Sequence, residues 1–426
     1  MNSPGWARAT LRAPMDSPEA LSETESAPAS RTVLLVVFAT ILIDFIGFSV
    51  LIPVLPLFAE RLGASPLQVA LILAVYALAQ LLFLPAWGWV SDRVGRRPVI
   101  LISLFGTMCS FVMLAFADSI GMIYAARVLA GFFAASIGTA QAVVTDVTSP
   151  SERARGMGII GAAFGAGMIV GPMIGGLTAV LHEKAPFYAV AFLAMLNFLV
   201  AWARLPESRP PQLGSPDWSE FRHSFIPTPL RLVMAVHDRR IALFLYLFLQ
   251  VFTAFAVFEA LITLYLGDEY GATPLDVGLL FAWIGVVLVV TQGVLLRRLV
   301  NYAGETRLVV TGLVAMGTGL AAMAFVAAYG WFYALGTVIA FGIGITFPSF
   351  TSLYSKACEA ENAGELLGQG QAMATTGRIV GPTIGGLLMQ HWFPSAPFLF
   401  AGAMMLLSLV MFGAFRRILV PPGDRG

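Results

Sequence analysis

Twelve long apolar runs confine this chain to a lipid bilayer. Crossing a hydrocarbon core of about 30 Å takes about 20 mostly apolar residues. Runs of that size fall at about 33–57, 67–90, 98–118, 119–144, 155–181, 185–205, 241–267, 274–296, 306–327, 331–353, 366–390 and 395–417. Inside lipid the backbone must bond within each segment, so the runs read as α-helices. Composition agrees, with 58% of residues hydrophobic and 12% charged, about half the charge of an ordinary soluble domain. The expected fold is an all-α membrane protein of twelve transmembrane helices.

The placement of charge predicts the topology. With the N-terminus inside, 21 of the 25 Lys and Arg residues fall on cytoplasmic segments. Only Arg61 and Lys184 fall outside, and Arg127 and Arg378 lie within spans. This bias puts both termini in the cytoplasm. Residues 1–32, polar and rich in Pro and Ser, read as a disordered cytoplasmic tail rather than a signal peptide. Cys109 in helix 3 and Cys358 in a cytoplasmic loop are not placed for a disulfide. His182, His223, His237 and His391 lack metal-ligand spacing. No Walker A run surrounds Lys184 or Lys356, the chain's two lysines, so no nucleotide is expected. No cofactor, metal, nucleic-acid partner or enzymatic activity is expected. The expected partners are a small-molecule substrate, protons and the bilayer, around a monomer.

The chain divides in two. Residues 206–240 form the longest break, read as a cytoplasmic linker ending in a short amphipathic helix. It separates bundles at 33–205 and 241–417, with a cytoplasmic tail at 418–426. LGASPLQVALI at 62–72 repeats as YGATPLDVGLL at 270–280, and GMIVGPMIGGL at 167–177 repeats as GRIVGPTIGGL at 377–387. Parallel six-helix halves are a transporter architecture, with binding near the midplane between the halves.

The loop after helix 2 reads Gly88-Trp-Val-Ser-Asp92-Arg93-Val-Gly95-Arg96-Arg97-Pro98. Its cations suit a positive-inside anchor. Its specific element is an aspartate before the basic cluster, after a glycine that permits close helix approach. Asp92 could accept bonds at a helix N-terminus of the other half and latch one conformation. The second half has Asn301 and Glu305 at the matching places, so the latch is asymmetric. In helix 5, Gly167, Gly171 and Gly175 make a smooth face, beside Gly176. Pro172 removes a backbone hydrogen bond and bends the helix into a hinge, and Gly381-Pro382 repeats the device. Ordinary small-residue packing is the alternative.

Four ionisable residues lie well inside spans: Asp44, Arg127, Glu259 and Arg378. Each, charged at a helix centre, costs about 2.5–3.5 kcal/mol and needs a partner or a wet cavity. Asp44 reads either as a proton carrier or as a structural bond to a neighbouring helix. Arg127 reads as a gate on a nearby acid or as a structural pair. Arg378 reads as a counterion for Asp44 or as a contact for an anionic group on substrate. Glu259 reads as a second titrating group or a vestibule residue, and Asp118 and Asp146 as solvated. Gln80, Gln141, Gln250, Gln292 and Gln371 are candidate polar contacts for substrate.

Over residues 33–417 the chain resembles the major facilitator superfamily, within the drug:proton antiporters and close to the tetracycline-efflux branch. The complete G-x-x-x-D-R-x-G-R-R loop carries the resemblance, with Arg127 and Gly131 in helix 4 and G-x-x-x-G-P-x-x-G-G in helix 5. The resemblance implies two pseudo-symmetric six-helix bundles and proton-coupled efflux of a small lipophilic drug or metabolite by alternating access. The alternatives are a symporter or uniporter for a metabolite, or a membrane sensor. It implies that Asp44 matches a transport-essential acid, that Arg127 takes part in proton transfer, that the helix 5 motif belongs to antiport, and that Gln292 matches a pathway glutamine. Further polar groups of the tetracycline branch fall on Ser110, Leu288 and Met316, which argues against tetracycline itself. The resemblance also implies a bacterial cytoplasmic membrane.

Overall fold

The computed structural model describes residues 27–148, 152–209, 239–357 and 363–419. Among these residues twelve long helices follow one another, with no strand. They are α1 Ala27–Arg61, α2 Pro66–Val94, α3 Arg96–Ala115, α4 Ile120–Val147, α5 Arg153–Ala179 and α6 Ala185–Arg204, then α7 Arg239–Tyr270, α8 Pro274–Ala303, α9 Glu305–Phe325, α10 Trp331–Ala357, α11 Ala363–His391 and α12 Ala396–Ala414. Each expected span corresponds to one helix. The expected amphipathic helix of the linker falls mostly on 210–238, and most of the N-terminal tail on 1–26, outside the described residues.

Eleven of these helices are long and apolar enough to cross a membrane. The exception, α11, carries Arg378 and a run of Gly, Thr and Gln. It packs against α7 and α2, so neighbouring protein, rather than lipid, surrounds much of its polar sequence.

The repeat is visible in the backbone. α2 begins with a capping box of Ser65 and Gln68, and α8 with one of Thr273 and Asp276, each followed by a proline in the first turn. Gly63 and Gly271 leave the preceding helices at φ 87° and 64°, and Gly95 and Gly304 open α3 and α9 at φ 108° and 76°. Only glycine takes such angles without strain.

Two spans expected to be continuous are not regular. α4 breaks between Phe132 and Ser136. Ser103 of α3 repairs the break: its Oγ accepts from Ala135 N at 3.3 Å and Ser136 N at 3.1 Å, and donates to Phe133 O. A neighbouring side chain thus satisfies freed backbone groups at membrane depth. α8 contains a π-helical turn, Thr291–Leu295. Such turns leave one carbonyl without its usual partner and are frequent at functional sites.

The bundles, α1–α6 and α7–α12, meet mainly through α5 against α8 and α2 against α11. A methyl group added at Gly176 would stand 2.9 Å from Leu275 Cα, and one at Gly386 would stand 2.9 Å from Leu67 Cα. Thr263 of α7 donates to Ile52 O of α1 at 2.8 Å. All these contacts lie toward the end carrying the α1–α2 and α7–α8 turns, the far end. The opposite end carries the basic 88–98 loop. There, a methyl group added at Gly88, Gly158, Gly161, Gly293 or Gly368 would meet nothing within 4 Å. Among the described residues, these contacts between bundles lie at the far end, and these glycine positions at the basic end face open space.

Candidate transport site

A cavity with two lobes lies between the bundles. One lobe is lined by Phe48, Leu51, Leu73 and Tyr76 of the first bundle and Glu259, Arg378 and Pro382 of the second. The other is lined by Asp44, Phe45, Thr107, Phe111 and Ser136. Phe48, Tyr76, Gln80, Arg127 and Arg378 border both lobes and form their common wall. Counted together with the solvent at their mouths, the lobes span about 550 and 710 Å³.

Each bundle supplies one acid and one guanidinium. From α1, Asp44 is partly accessible through the cavity, and its Oδ2 has no hydrogen-bond partner. Ser136 lies within hydrogen-bonding reach of the carboxylate. The α4 break explains this placement, because Ser136 opens the second segment of that helix. Arg127, 3% exposed, lies over the Tyr76 ring at 4.4 Å, and its Nε has no partner. From the second bundle, Arg378 stands over the Phe48 ring at 5.2 Å, and its Nη2 lies 3.8 Å from Glu259 Oε2.

This arrangement revises several expectations. Arg378 pairs loosely with Glu259 within its own bundle, not with Asp44. Of the glutamines, Gln80 lines the cavity. Gln250 does not: it is 3% exposed inside the second bundle and accepts from Ser408 at 3.2 Å. Gln141, Gln292 and Gln371 are exposed and border neither lobe. Phe48 and Tyr76 do not stand out in the sequence, because aromatic residues are so frequent in these spans. The one signal for Tyr76 is a phenol in the middle of an otherwise apolar helix.

The smooth face of α5 packs within its own bundle. A methyl group at Gly167 would stand 2.5 Å from Phe45 Cβ, one at Gly171 would meet Ser49 Oγ, and one at Gly175 would stand 2.8 Å from Val50 O. Ser49 Oγ also donates to Gly167 O at 2.8 Å. Gly377 and Gly381 meet Thr253 of α7 in the same way. The last glycine in each motif, Gly176 or Gly386, turns outward to the opposite bundle. The motif therefore serves two faces, holding α5 on α1 and letting the bundles touch.

The latch differs from expectation in this conformation. Asp92 pairs with Arg96 at 2.8 Å and with Arg209 at 3.0 Å, both from its own half of the chain. Glu207, not Asp92, occupies a helix N-terminus: it accepts from Arg96 N at 2.7 Å and Arg97 N at 3.1 Å, where the helix dipole favours an anion. A methyl group added at Gly88 would meet nothing within 4 Å, whereas Gly95 is required by its φ and lies against the Glu207 carboxylate, 2.5 Å from its added methyl position. Arg93 stacks on Trp89 at 4.0 Å. Asp146 is not simply solvated, since Arg96 binds it at 3.2 Å. Asp118 is largely exposed and meets Lys184 at 2.6 Å.

The positions that are polar in the tetracycline branch are packed here. Leu288 and Met316 are buried, and Met316 Cγ stands 2.7 Å from the methyl position of Gly342. Ser110 donates to Thr107 O at 2.7 Å. Cys109 is a free thiol, and Cys358 lies outside the described residues.

The profile of the Major Facilitator Superfamily matches residues 37–382 and 260–425. The chain is 30% identical to the class C tetracycline resistance protein of Escherichia coli over 366 residues, 83% of this chain and 89% of that one. It is 28% identical to multidrug resistance protein 2 of Bacillus subtilis over 387 residues, 89% and 94% of the two chains. Among solved structures, the human organic anion transporter MFSD10 superposes with a TM-score of 0.69 at 23% identity, covering 90% of this chain and 99% of that one.

Proposed function

The chain belongs to the Major Facilitator Superfamily, and on that premise we propose that it exports a small lipophilic drug or metabolite in exchange for protons. One observation carries the reading: a carboxylate with an unpartnered oxygen, Asp44, opens into a cavity between two bundles that are closed at one end. The distribution of Lys and Arg assigns the basic end to the cytoplasm. The conformation is then inward-open, and substrate reaches the cavity from inside. Protons from outside load Asp44 after the bundles rock, and substrate leaves outward. The curated relatives named for tetracycline and multidrug resistance support efflux. The packed Leu288 and Met316 favour a substrate other than a tetracycline–metal chelate. The protein works as a monomer in a cytoplasmic membrane, with both termini inside. In the alternate, outward-open state Asp92 latches the two halves at the cytoplasmic end, and the Gly-Pro segments of α5 and α11 act as hinges.

The test is proton flux in inverted vesicles energised to an acid interior, with a panel of lipophilic drugs and metabolites added. A substrate dissipates the gradient in wild type and leaves Asp44→Asn unmoved. Equal responses from both proteins would remove Asp44 from the mechanism. Proton movement in the same direction as substrate would replace exchange with symport.

A further inference from the structure

We infer that the substrate is an amphipathic zwitterion, whose cationic end engages Asp44 and whose anionic end engages Arg378. This inference rests on the exchange reading above and narrows it to a chemical class. The cavity holds two acids and two guanidiniums, one of each per bundle, and its remaining walls are largely apolar. Their unmet bonds point to both kinds of ligand group. Asp44 Oδ2 lacks a partner, as do Arg127 Nε and Arg378 Nε. Arg127 is 3% exposed, yet it borders both lobes. Glu259 stands 3.8 Å from Arg378, beyond hydrogen-bonding distance, so the guanidinium fork keeps donors for a second acid. A guanidinium holds a carboxylate with two parallel bonds, which fixes orientation as well as charge.

A singly charged ligand fits less well. An anion near Asp44 would favour the protonated form of that carboxyl group. Proton and anion would then bind together and travel in one direction. A lone cation would displace the proton, as exchange requires, but would leave the buried Nε of Arg127 and of Arg378 without an acceptor. A zwitterion meets one group of each sign. Its ammonium replaces the proton on Asp44, its acid meets Arg378, and its apolar body lies along Phe48, Leu51 and Leu73. The charged or titratable groups facing Asp44 across this space are Tyr76, Arg127 and Arg378, with Glu259 beyond them.

Calorimetry on the purified full-length chain, in two buffers of different ionisation enthalpy, tests this with three probes. These are 4-(aminomethyl)biphenyl, biphenyl-4-carboxylate and 4′-(aminomethyl)biphenyl-4-carboxylate. The zwitterion is expected to bind at least tenfold more tightly than either single-charge probe and to release a proton. Arg378→Gln should bring the zwitterion down to the affinity of the cation, with Arg378→Lys intermediate. Asp44→Asn should abolish proton release. If the cation binds as tightly as the zwitterion and releases a proton only when Asp44 is present, exchange stands and the zwitterion assignment falls. If the carboxylate alone binds best, with proton uptake, both fall. Failure of all three probes to bind the folded wild type also overturns the assignment, while the vesicle assay judges exchange separately.

Discussion

Gly171 and Gly381 bring helices to backbone contact, and they are among the positions least tolerant of an added side chain. At Gly171 the space is filled by Ser49, and at Gly381 by the Thr253 carbonyl. Leucine at either position should lower stability by about 1–3 kcal/mol or more, the usual cost of overpacking, read as a lower thermal midpoint in detergent. Gly161→Leu, at a position with nothing within 4 Å, should leave the midpoint nearly unchanged. Equal losses at all three would show that glycine is kept for backbone reasons rather than for contact. Among the charged residues, Asp44 has one carboxylate oxygen without a partner, while Glu259 has Arg378 beside it. One proton per substrate is therefore expected. A measured stoichiometry of two would bring Glu259 into the cycle, and Glu259→Gln should then return it to one.

At the scale of the helix, side chains from neighbouring elements repair irregular backbone. The α4 break puts Ser136 near Asp44 and depends on Ser103 of α3 for its hydrogen bonds. Ser103→Ala leaves the buried Ser136 N–H unmet, while Ala135 N keeps its bond to Phe133 O, at a cost of about 1–3 kcal/mol. It should lower the thermal midpoint and weaken proton coupling together, whereas Ser103→Thr, which keeps the hydroxyl, should retain both. The helix starts also show how the halves diverged. Arg96 at the start of α3 binds Asp146 at the end of α4 at 3.2 Å. Glu305 at the start of α9 binds Lys356 at the end of α10 at 3.0 Å. The clasp is the same, with its charges reversed. Lys356→Glu should weaken the second bundle, and adding Glu305→Lys should recover much of the loss. A double-mutant cycle should give a coupling of about 0.2–1 kcal/mol, as for other partly exposed pairs. Zero coupling would mean that the pair is incidental.

For the whole molecule, closure at one end and separation at the other make a two-state prediction. Val94 ends α2 and Tyr302 lies near the end of α8, both exposed at the basic end. Leu62 and Gly271 follow α1 and α7 at the far end. With Cys109 and Cys358 replaced by serine, spin labels at 94 and 302 should report a long distance in the resting protein, and labels at 62 and 271 a short one. A shift of pH or addition of substrate should shorten the first and lengthen the second together. Movement at one end without the other would contradict rocking of rigid bundles.

The apolar runs, the basic bias and the two repeated blocks were enough to predict the number of spans, their topology and the division into halves, and the 88–97 loop with the helix 4 and helix 5 motifs carried the family resemblance. These properties depend on how each segment meets lipid, and lipid imposes its demand residue by residue along the chain. The partner of each intramembrane charge was not legible. Asp44 and Arg378 lie in different bundles, and Arg378 and Glu259 are far apart in sequence, so only packing could decide that Glu259, not Asp44, stands beside the guanidinium. The same holds for Gln250, which reads as a pathway residue but is sealed against Ser408, and for Asp92, which pairs with Arg96 and Arg209. A side chain's depth in the membrane is local information. The direction it faces, and what it meets there, follow from the rotation and crossing of helices, which arise only when the two bundles come together.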